Sequence, residues 1–163
     1  MSTKVLRLTV LVIILALIIP TTGFGQGPQG AVQVTLLHTN DFHGRLETDY
    51  RGRGGSAYIA SVVNDIRAAA GEENVALLSA GDVYFAAPAI SQLLMGESTI
   101  DIYNMMGYDV AAFGNHEFDK GQDELAARVA QSNFPWLGAN VVLEGTDWDL
   151  PTWAQPYEIL ELG

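Results

Sequence analysis

The chain has 163 residues, 48% of them hydrophobic and 17% charged, which predicts one globular domain and excludes a largely disordered protein. Its formal net charge of −11 at pH 7 repels polyanions, so we expect no nucleic-acid partner. The chain has no cysteine, which excludes disulfides and thiolate metal sites, so any metal ion must be held by oxygen and nitrogen.

The first 25 residues have the pattern of a secretory signal peptide. Lys4 and Arg7 precede an apolar stretch over residues 8–19, which is shorter than the roughly 20 residues that cross a bilayer. We therefore expect an exported protein, periplasmic, cell-surface or secreted, with an uncleaved membrane anchor as the alternative. Residues 26–31, rich in Gly, Pro and Gln, predict a flexible leader.

From residue 32 onward, strand-like apolar runs alternate with segments of helical period. This alternation is typical of a layered α/β domain with a sheet and flanking helices. The predicted strands cover residues 32–37, 75–79, 109–113 and 137–142, and a further extended run covers residues 156–160. The predicted helical segments begin at Ser56, which is a candidate cap with Gly71 as the stop signal, and at residues 88, 99 and 122.

Each of the first three predicted strands runs directly into a polar loop that contains Asp, His or Asn. The loops contain residues 38–44 (HTNDFHG), residues 79–82 (SAGD) and residues 114–119 (GNHEFD). Because ligands collect at the carboxyl ends of strands in open α/β sheets, we expect these three loops to meet at one crevice.

The side chains of the three loops predict metal chemistry. Asp41 and His43 are two residues apart, so in an extended segment both side chains point the same way and can bind one ion together. The two carboxylate oxygens of Asp82 can bridge two cations. Asn115 offers a neutral carboxamide oxygen, and the neighbouring His116 can face a substrate while Asp119 orients its imidazole.

Residues 34–46, Gly81-Asp82 and residues 114–119 together resemble the 5′-nucleotidase family of calcineurin-like metallophosphoesterases. The resemblance covers residues 32–142, and the two longer motifs are diagnostic of that family. It implies that residues 32–163 are the N-terminal portion of a metallophosphoesterase domain that is incomplete at its C-terminus.

The resemblance also assigns roles to individual residues. It implies that Asp41 and His43 bind a first metal ion, that Asp82 bridges both ions, and that Asn115 binds the second. These ligand types suit Zn or Mn, with Mg or Fe as alternatives.

The catalytic roles implied by the resemblance fall to two further residues. His116 would contact the scissile phosphate, and Asp119 would be its partner in a catalytic dyad. The implied substrate is a nucleotide, a nucleotide-sugar or another small phosphate ester, hydrolysed by metal-activated water. A 2′,3′-cyclic-nucleotide phosphodiesterase and a thiosulfate-ester hydrolase are the alternative enzymes.

The chain departs from the family pattern in its number of histidines. Family members carry further histidines downstream, whereas this chain has three, at His38, His43 and His116. We therefore expect weak metal binding, and a truncated or catalytically inactive domain that binds phosphate or a partner is the competing hypothesis. His38 is expected to make a structural hydrogen bond, and the Gly-rich turn at residues 51–55 is either a phosphate cradle or a plain turn.

Overall fold

Four parallel strands lie side by side in the same order as in the chain. The computed structural model describes residues 30–163, so the predicted signal peptide and most of the predicted leader lie outside the described residues. Residues 33–163 form one compact unit. The strands are β1 (Thr35–Thr39), β2 (Val75–Ser79), β3 (Val110–Ala112) and β4 (Trp136–Leu137).

The pairing of the first two strands sets the frame of the sheet. Thr35 pairs with Val75 and Thr39 pairs with Ser79, so β1 and β2 end level with each other. β2 is a continuous apolar run and is buried along nearly its whole length, as expected for a strand that is covered on both faces. β1 alternates between half-buried and exposed residues because it lies at the edge of the sheet.

Four helices accompany the described part of the sheet. They are α1 (Ser56–Ala70), α2 (Ala89–Gln92), α3 (Glu97–Met106) and α4 (Gln122–Gln131), with 3₁₀ turns at Glu72–Asn74 and His116–Phe118. Between residues 30 and 163, none of the helices combines the length and the apolar character that crossing a membrane requires.

An aromatic cluster forms the core between the sheet and α3. The rings of Tyr103 and Tyr108 stack with their centroids 3.9 Å apart, and the Tyr108 hydroxyl lies 2.8 Å from Oγ1 of Thr39. Phe42 packs against Tyr103 at 5.5 Å and is buried. The core thus reaches the end of β1 and anchors the loop that follows this strand.

The α/β prediction is confirmed, and the bounds of β2 are the predicted ones. The predicted strand over residues 137–142 is wrong beyond Leu137, because Gly138 donates to the Gln155 carbonyl and Val141 closes a turn onto Gly138. Residues 156–160 form no strand, and this part of the chain contributes a single bridge between Leu137 and Gln155.

The start of α1 also differs from the prediction. Ser56 does not cap the helix, because Gly55 holds the cap position and the Ser56 hydroxyl donates to the Leu46 carbonyl. α1 buries Val63 against the sheet, whereas the neighbouring Val62 is 57% exposed. Gly71 ends the helix as predicted.

Candidate metal centre

The loops after β1 and β2 are joined by backbone hydrogen bonds that continue beyond the strands. The N–H groups of Asp41, His43 and Gly44 donate to the carbonyls of Gly81, Asp82 and Val83, at 3.2, 2.8 and 2.8 Å respectively. The side chains of the first two loops are therefore held beside one another by their own backbones.

The backbone of these loops is not extended. Asp41, His43 and Asp82 have φ angles of +52°, +49° and +54°, a left-handed conformation that non-glycine residues rarely adopt. The extended segment assumed for Asp41 and His43 is therefore wrong. Each such residue costs on the order of 1–3 kcal/mol, and such strain concentrates at functional sites where the surroundings enforce it.

Two glycines let the second and third loops approach each other. A Cβ atom at Gly81, where φ is +96°, would lie 2.5 Å from the Gly114 nitrogen. A Cβ atom at Gly114 would collide with the Asp82 side chain. Only glycine fits at both positions, because backbone meets backbone there.

The side chain of Glu117 has no exposed surface, and it links the second and third loops by hydrogen bonds. Its Oε2 accepts hydrogen bonds from the N–H groups of Asp82 (2.9 Å) and Gly114 (2.7 Å), and its Oε1 accepts one from Val83 (2.7 Å). Burial raises the pKa of the Glu117 carboxyl, and the three N–H donors oppose that shift because they favour the charged form. Sequence reasoning gave Glu117 no role, and its place in the motif of residues 114–119 was the only signal.

Side chains from all three loops converge at one point. Potential ligand atoms of His43, Asp82 and His116, all half-buried, lie within 4.8 Å of one another. The two imidazole rings meet edge to face, with their centroids 5.1 Å apart and their planes at 73°. The three loops therefore meet at the carboxyl ends of the first three strands, as expected.

The hydrogen bond of His43 determines which of its nitrogens is free. Nδ1 of His43 lies 2.8 Å from the Phe85 carbonyl, which only accepts, so Nδ1 carries the proton. Nε2 then keeps its lone pair for a cation. A ligating histidine typically donates its other ring N–H to a carbonyl or carboxylate in this way.

His116 is oriented by Asp119, which follows directly after the 3₁₀ turn His116–Phe118. Its Nδ1 donates to Oδ2 of Asp119 at 2.8 Å, which leaves Nε2 free. The hydrogen bond from Asp119 raises the pKa of the His116 imidazole, with desolvation opposing and the nearby carboxylate charges adding to the increase. The structure thus contains the pair that the sequence predicted.

The other two predicted ligands lie near this group but outside it. Asp41 is exposed, and its Oδ2 accepts a hydrogen bond of 2.7 Å from Nδ2 of Asn40. Asn115 begins the 3₁₀ turn that carries His116, and it is exposed. Along the chain, Asp41 is two residues from His43 and Asn115 is next to His116.

The donor set fits a divalent cation. His43 offers an imidazole nitrogen and Asp82 a carboxylate oxygen, the ligand types that Zn and Mn accept. Asp82 uses Oδ1 to accept the His116 N–H at 2.9 Å, which leaves Oδ2 available for an ion.

Two cavities lie beside the first loop. One of about 350 Å³ is lined by Asp41 and Arg45, and Arg45 also lines a second cavity of about 530 Å³ with Arg53. The Gly-rich turn in this second cavity is closed by Asp49, which accepts hydrogen bonds from the Arg51 and Arg53 N–H groups and from the Arg53 guanidinium. This geometry favours the plain turn.

His38 lies exposed on β1 rather than in the group of converging side chains. Its imidazole has no hydrogen-bond partner among the residues that the structure describes, so the expected structural hydrogen bond is not observed there.

Comparison with known proteins identifies the family of the chain. The sequence profile of the family described as calcineurin-like phosphoesterase matches residues 34–154, which contain all three loops. The parallel sheet with flanking helices has a metallophosphoesterase-type fold, as its structural neighbours do. The chain belongs to the calcineurin-like phosphoesterase family.

Individual relatives are 5′-nucleotidases. The chain is 34% identical to a snake venom 5′-nucleotidase from Gloydius brevicauda over 145 residues, covering 82% of the chain and 24% of that protein. It is 39% identical to a 5′-nucleotidase from Vibrio vulnificus over 111 residues, covering 67% of the chain and 20% of that protein.

The chain is also similar in structure to a solved 5′-nucleotidase precursor. The 5′-nucleotidase precursor from Thermus thermophilus superimposes with a TM-score of 0.56 at 32% identity, covering 66% of the chain and 22% of that structure. The matched region thus spans about a quarter or less of the length of these relatives.

Proposed function

We propose that the chain carries the first half of a two-metal centre that hydrolyses phosphate esters, with nucleotides or nucleotide-sugars as substrates. The observation that carries this proposal is the convergence of His43, Asp82 and His116 within 4.8 Å at the ends of three successive strands. The 5′-nucleotidase relatives support the choice of substrate class.

Asp41 and His43 would hold a first divalent ion, Asp82 would bridge two ions, and Asn115 would hold the second. When bound, the ions would supply positive charge for the phosphoryl oxygens and lower the pKa of a water molecule, the nucleophile in such hydrolases. Zn and Mn suit these ligands best, with Mg and Fe as alternatives.

The roles of His116 and Asp119 follow from their hydrogen bond. Asp119 fixes the proton on Nδ1 of His116 and favours the charged ring, so Nε2 can donate to an anionic phosphoryl or leaving oxygen. The protein is acidic overall, and Arg45 lines the cavity beside Asp41, where it would offer a positive charge to an anionic substrate.

Phosphate release from AMP in the presence of Mn²⁺ tests the proposal. The purified chain and its Asp82→Asn variant would be assayed side by side, and an exposed carboxylate on α1, changed in Asp65→Asn, supplies the control for loss of charge. Release by wild type and Asp65→Asn, but not by Asp82→Asn, is the expected result. Equal rates from all three proteins would overturn the assignment of the site.

The alternative function is metal or phosphate binding without turnover. The small number of donors favours it, because each ion usually takes four to six ligands and the chain has three histidines in all. Equilibrium dialysis with Mn²⁺ separates the two cases. Binding that is lost in Asp82→Asn, without phosphate release by wild type, would support the inactive domain.

We also propose that the protein is exported, on the strength of Lys4, Arg7 and the apolar stretch over residues 8–19. Its contact with a membrane would be limited to that segment, either as a cleaved signal or as an uncleaved anchor. Expression of the full chain, followed by mass spectrometry of the exported product, should give a new N-terminus near Gln26. Retention in the cytoplasm with Met1 in place would contradict export.

A further inference from the structure

Of the charged side chains in residues 30–163, Glu117 alone is completely buried. A buried carboxylate carries a large desolvation cost unless it is fully hydrogen-bonded. Glu117 meets this condition without any cationic side chain, because all three of its donors are backbone N–H groups. Its carboxylate therefore holds these backbone segments together, and the group of three hydrogen bonds is called the Glu117 junction.

The three donors belong to two separate loops. Asp82 and Val83 follow β2, and Gly114 follows β3, so the carboxylate spans a gap between segments more than 30 residues apart. One oxygen, Oε2, accepts from both loops at once. The same two loops are in backbone contact at Gly81 and Gly114, where no side chain fits.

We propose that Glu117 is a positioning residue for the metal centre. By holding the Asp82 and Gly114 N–H groups on one oxygen, it fixes the second loop against the third and sets the direction of the Asp82 carboxylate relative to Asn115. The identity of these ligands rests on the proposed function. The hydrogen-bonded junction itself does not depend on any metal.

The conformation of Asp82 explains why such a junction is needed. With φ at +54°, Asp82 occupies a region that an Asp would leave if it were unrestrained. Its side chain also accepts the His116 N–H, so rotation of Asp82 would release the third loop as well. Glu117 binds the backbone N–H of Asp82 in the second loop and the backbone N–H of Gly114 in the third loop.

The test compares Glu117→Gln with Asp109→Asn. Both changes turn a carboxylate that accepts backbone N–H bonds into a carboxamide, but Asp109 binds the Leu77 N–H near the start of β3, away from the loops. Isothermal titration with Mn²⁺ should show affinity lowered by about 10- to 100-fold for Glu117→Gln, as for other residues that orient ligands, and unchanged for Asp109→Asn. Equal affinities in both variants and wild type would overturn the proposal.

A second measurement needs no variant and no metal. Scalar couplings across hydrogen bonds, measured by NMR on the metal-free wild type, should connect the Glu117 carboxyl carbon to the amide nitrogens of Asp82, Val83 and Gly114. Absence of the couplings to Asp82 and Gly114 would refute the junction even if Glu117→Gln failed to fold.

The two measurements also separate this proposal from the proposed function. If the wild type shows the couplings but binds no Mn²⁺, the metal centre fails and Glu117 is a structural junction only. If the wild type binds Mn²⁺ and lacks the couplings, the centre stands without Glu117 as its positioning residue.

Discussion

The backbone N–H of His116 donates to Oδ1 of Asp82 at 2.9 Å, which makes the Asp82 carboxylate part of the third loop as well as of the second. One oxygen of the same carboxylate lies within 4.8 Å of potential ligand nitrogens of His43 and His116. In the proposed centre Asp82 would therefore have two roles, because it holds the loop that carries His116 and would also bind a cation.

Changing Asp82 to Asn should weaken cation binding and preserve the hydrogen bond from the His116 N–H. The carboxamide oxygen of Asn can still accept the His116 N–H, so we expect a small change in the free energy of unfolding, about 1 kcal/mol or less. Mn²⁺ affinity, measured by isothermal titration, should fall by at least about 10-fold because the anionic ligand is lost. A variant that binds Mn²⁺ as well as the Asp65→Asn control does would contradict this role for Asp82.

The role of His116 can be separated from that of His43 by comparing their alanine variants. If His116 contacts phosphate rather than metal, His116→Ala should keep its Mn²⁺ affinity while phosphate release from AMP falls by about 100- to 10,000-fold. His43→Ala should lose Mn²⁺ affinity. A loss of affinity in His116→Ala as large as in His43→Ala would instead make His116 a ligand.

The hydrogen bond between His116 and Asp119 predicts a particular dependence on pH. Because the pKa of His116 is raised above the ordinary value of 6.5, the pair stabilises the fold fully below about pH 6.5. That stabilisation is lost as the pH rises through the higher folded-state pKa. NMR titration of the metal-free protein should show the His116 pKa falling in Asp119→Asn, and an unchanged value would contradict the assigned cause.

The tautomer of His43 is a prediction that needs no substitution. Long-range ¹H–¹⁵N correlation spectra of the metal-free protein, recorded at alkaline pH, should show Nδ1 protonated and Nε2 without a proton, because the Phe85 carbonyl only accepts. Addition of Zn²⁺ should shift the Nε2 resonance most. A proton on Nε2 in the metal-free state would mean that the bond to Phe85 is absent in solution.

Because Gly81 and Gly114 lie so close together, adding a single methyl group at Gly81 should lower the stability of the fold substantially. Gly81→Ala adds left-handed backbone strain of about 1–2 kcal/mol to a steric conflict of about 1–3 kcal/mol, so it should destabilise the fold by about 2–5 kcal/mol. Gly145 has a similar φ of +81° and no atom within 4 Å of an added Cβ, so Gly145→Ala should show the strain alone. Chemical denaturation measures both, and equal losses would exclude the steric contribution.

Most of the sheet and the meeting of the three loops could be predicted from sequence, because they depend on local patterns. The bounds of β2 could be predicted because its apolar run is continuous and clearly delimited in the sequence. β1 lies later in the chain than expected because its pairing with β2 fixes it, with Thr39 opposite Ser79. β4 ends early because its continuation is held by Gln155, a contact between distant parts of the chain.

The details of the site depend on contacts that sequence patterns do not reveal. The left-handed backbone at Asp41, His43 and Asp82 is enforced by hydrogen bonds between two loops, whereas local preference favours an extended segment. The role of Glu117 was missed for the same reason, since its partners Asp82 and Val83 lie 35 and 34 residues earlier in the chain.

The agreement between strand order in the sheet and strand order in the chain bears on how the protein is made. As the chain leaves the ribosome, β2 can pair with β1, and β3 can then pair with β2, without any earlier strand making room. The loop of Asp41 and His43 thus has its neighbour Asp82 before residues 114–119 are synthesised. Glu117 is synthesised after all three of its hydrogen-bond partners, so the contact between the second and third loops is completed only when residues 114–119 have been made.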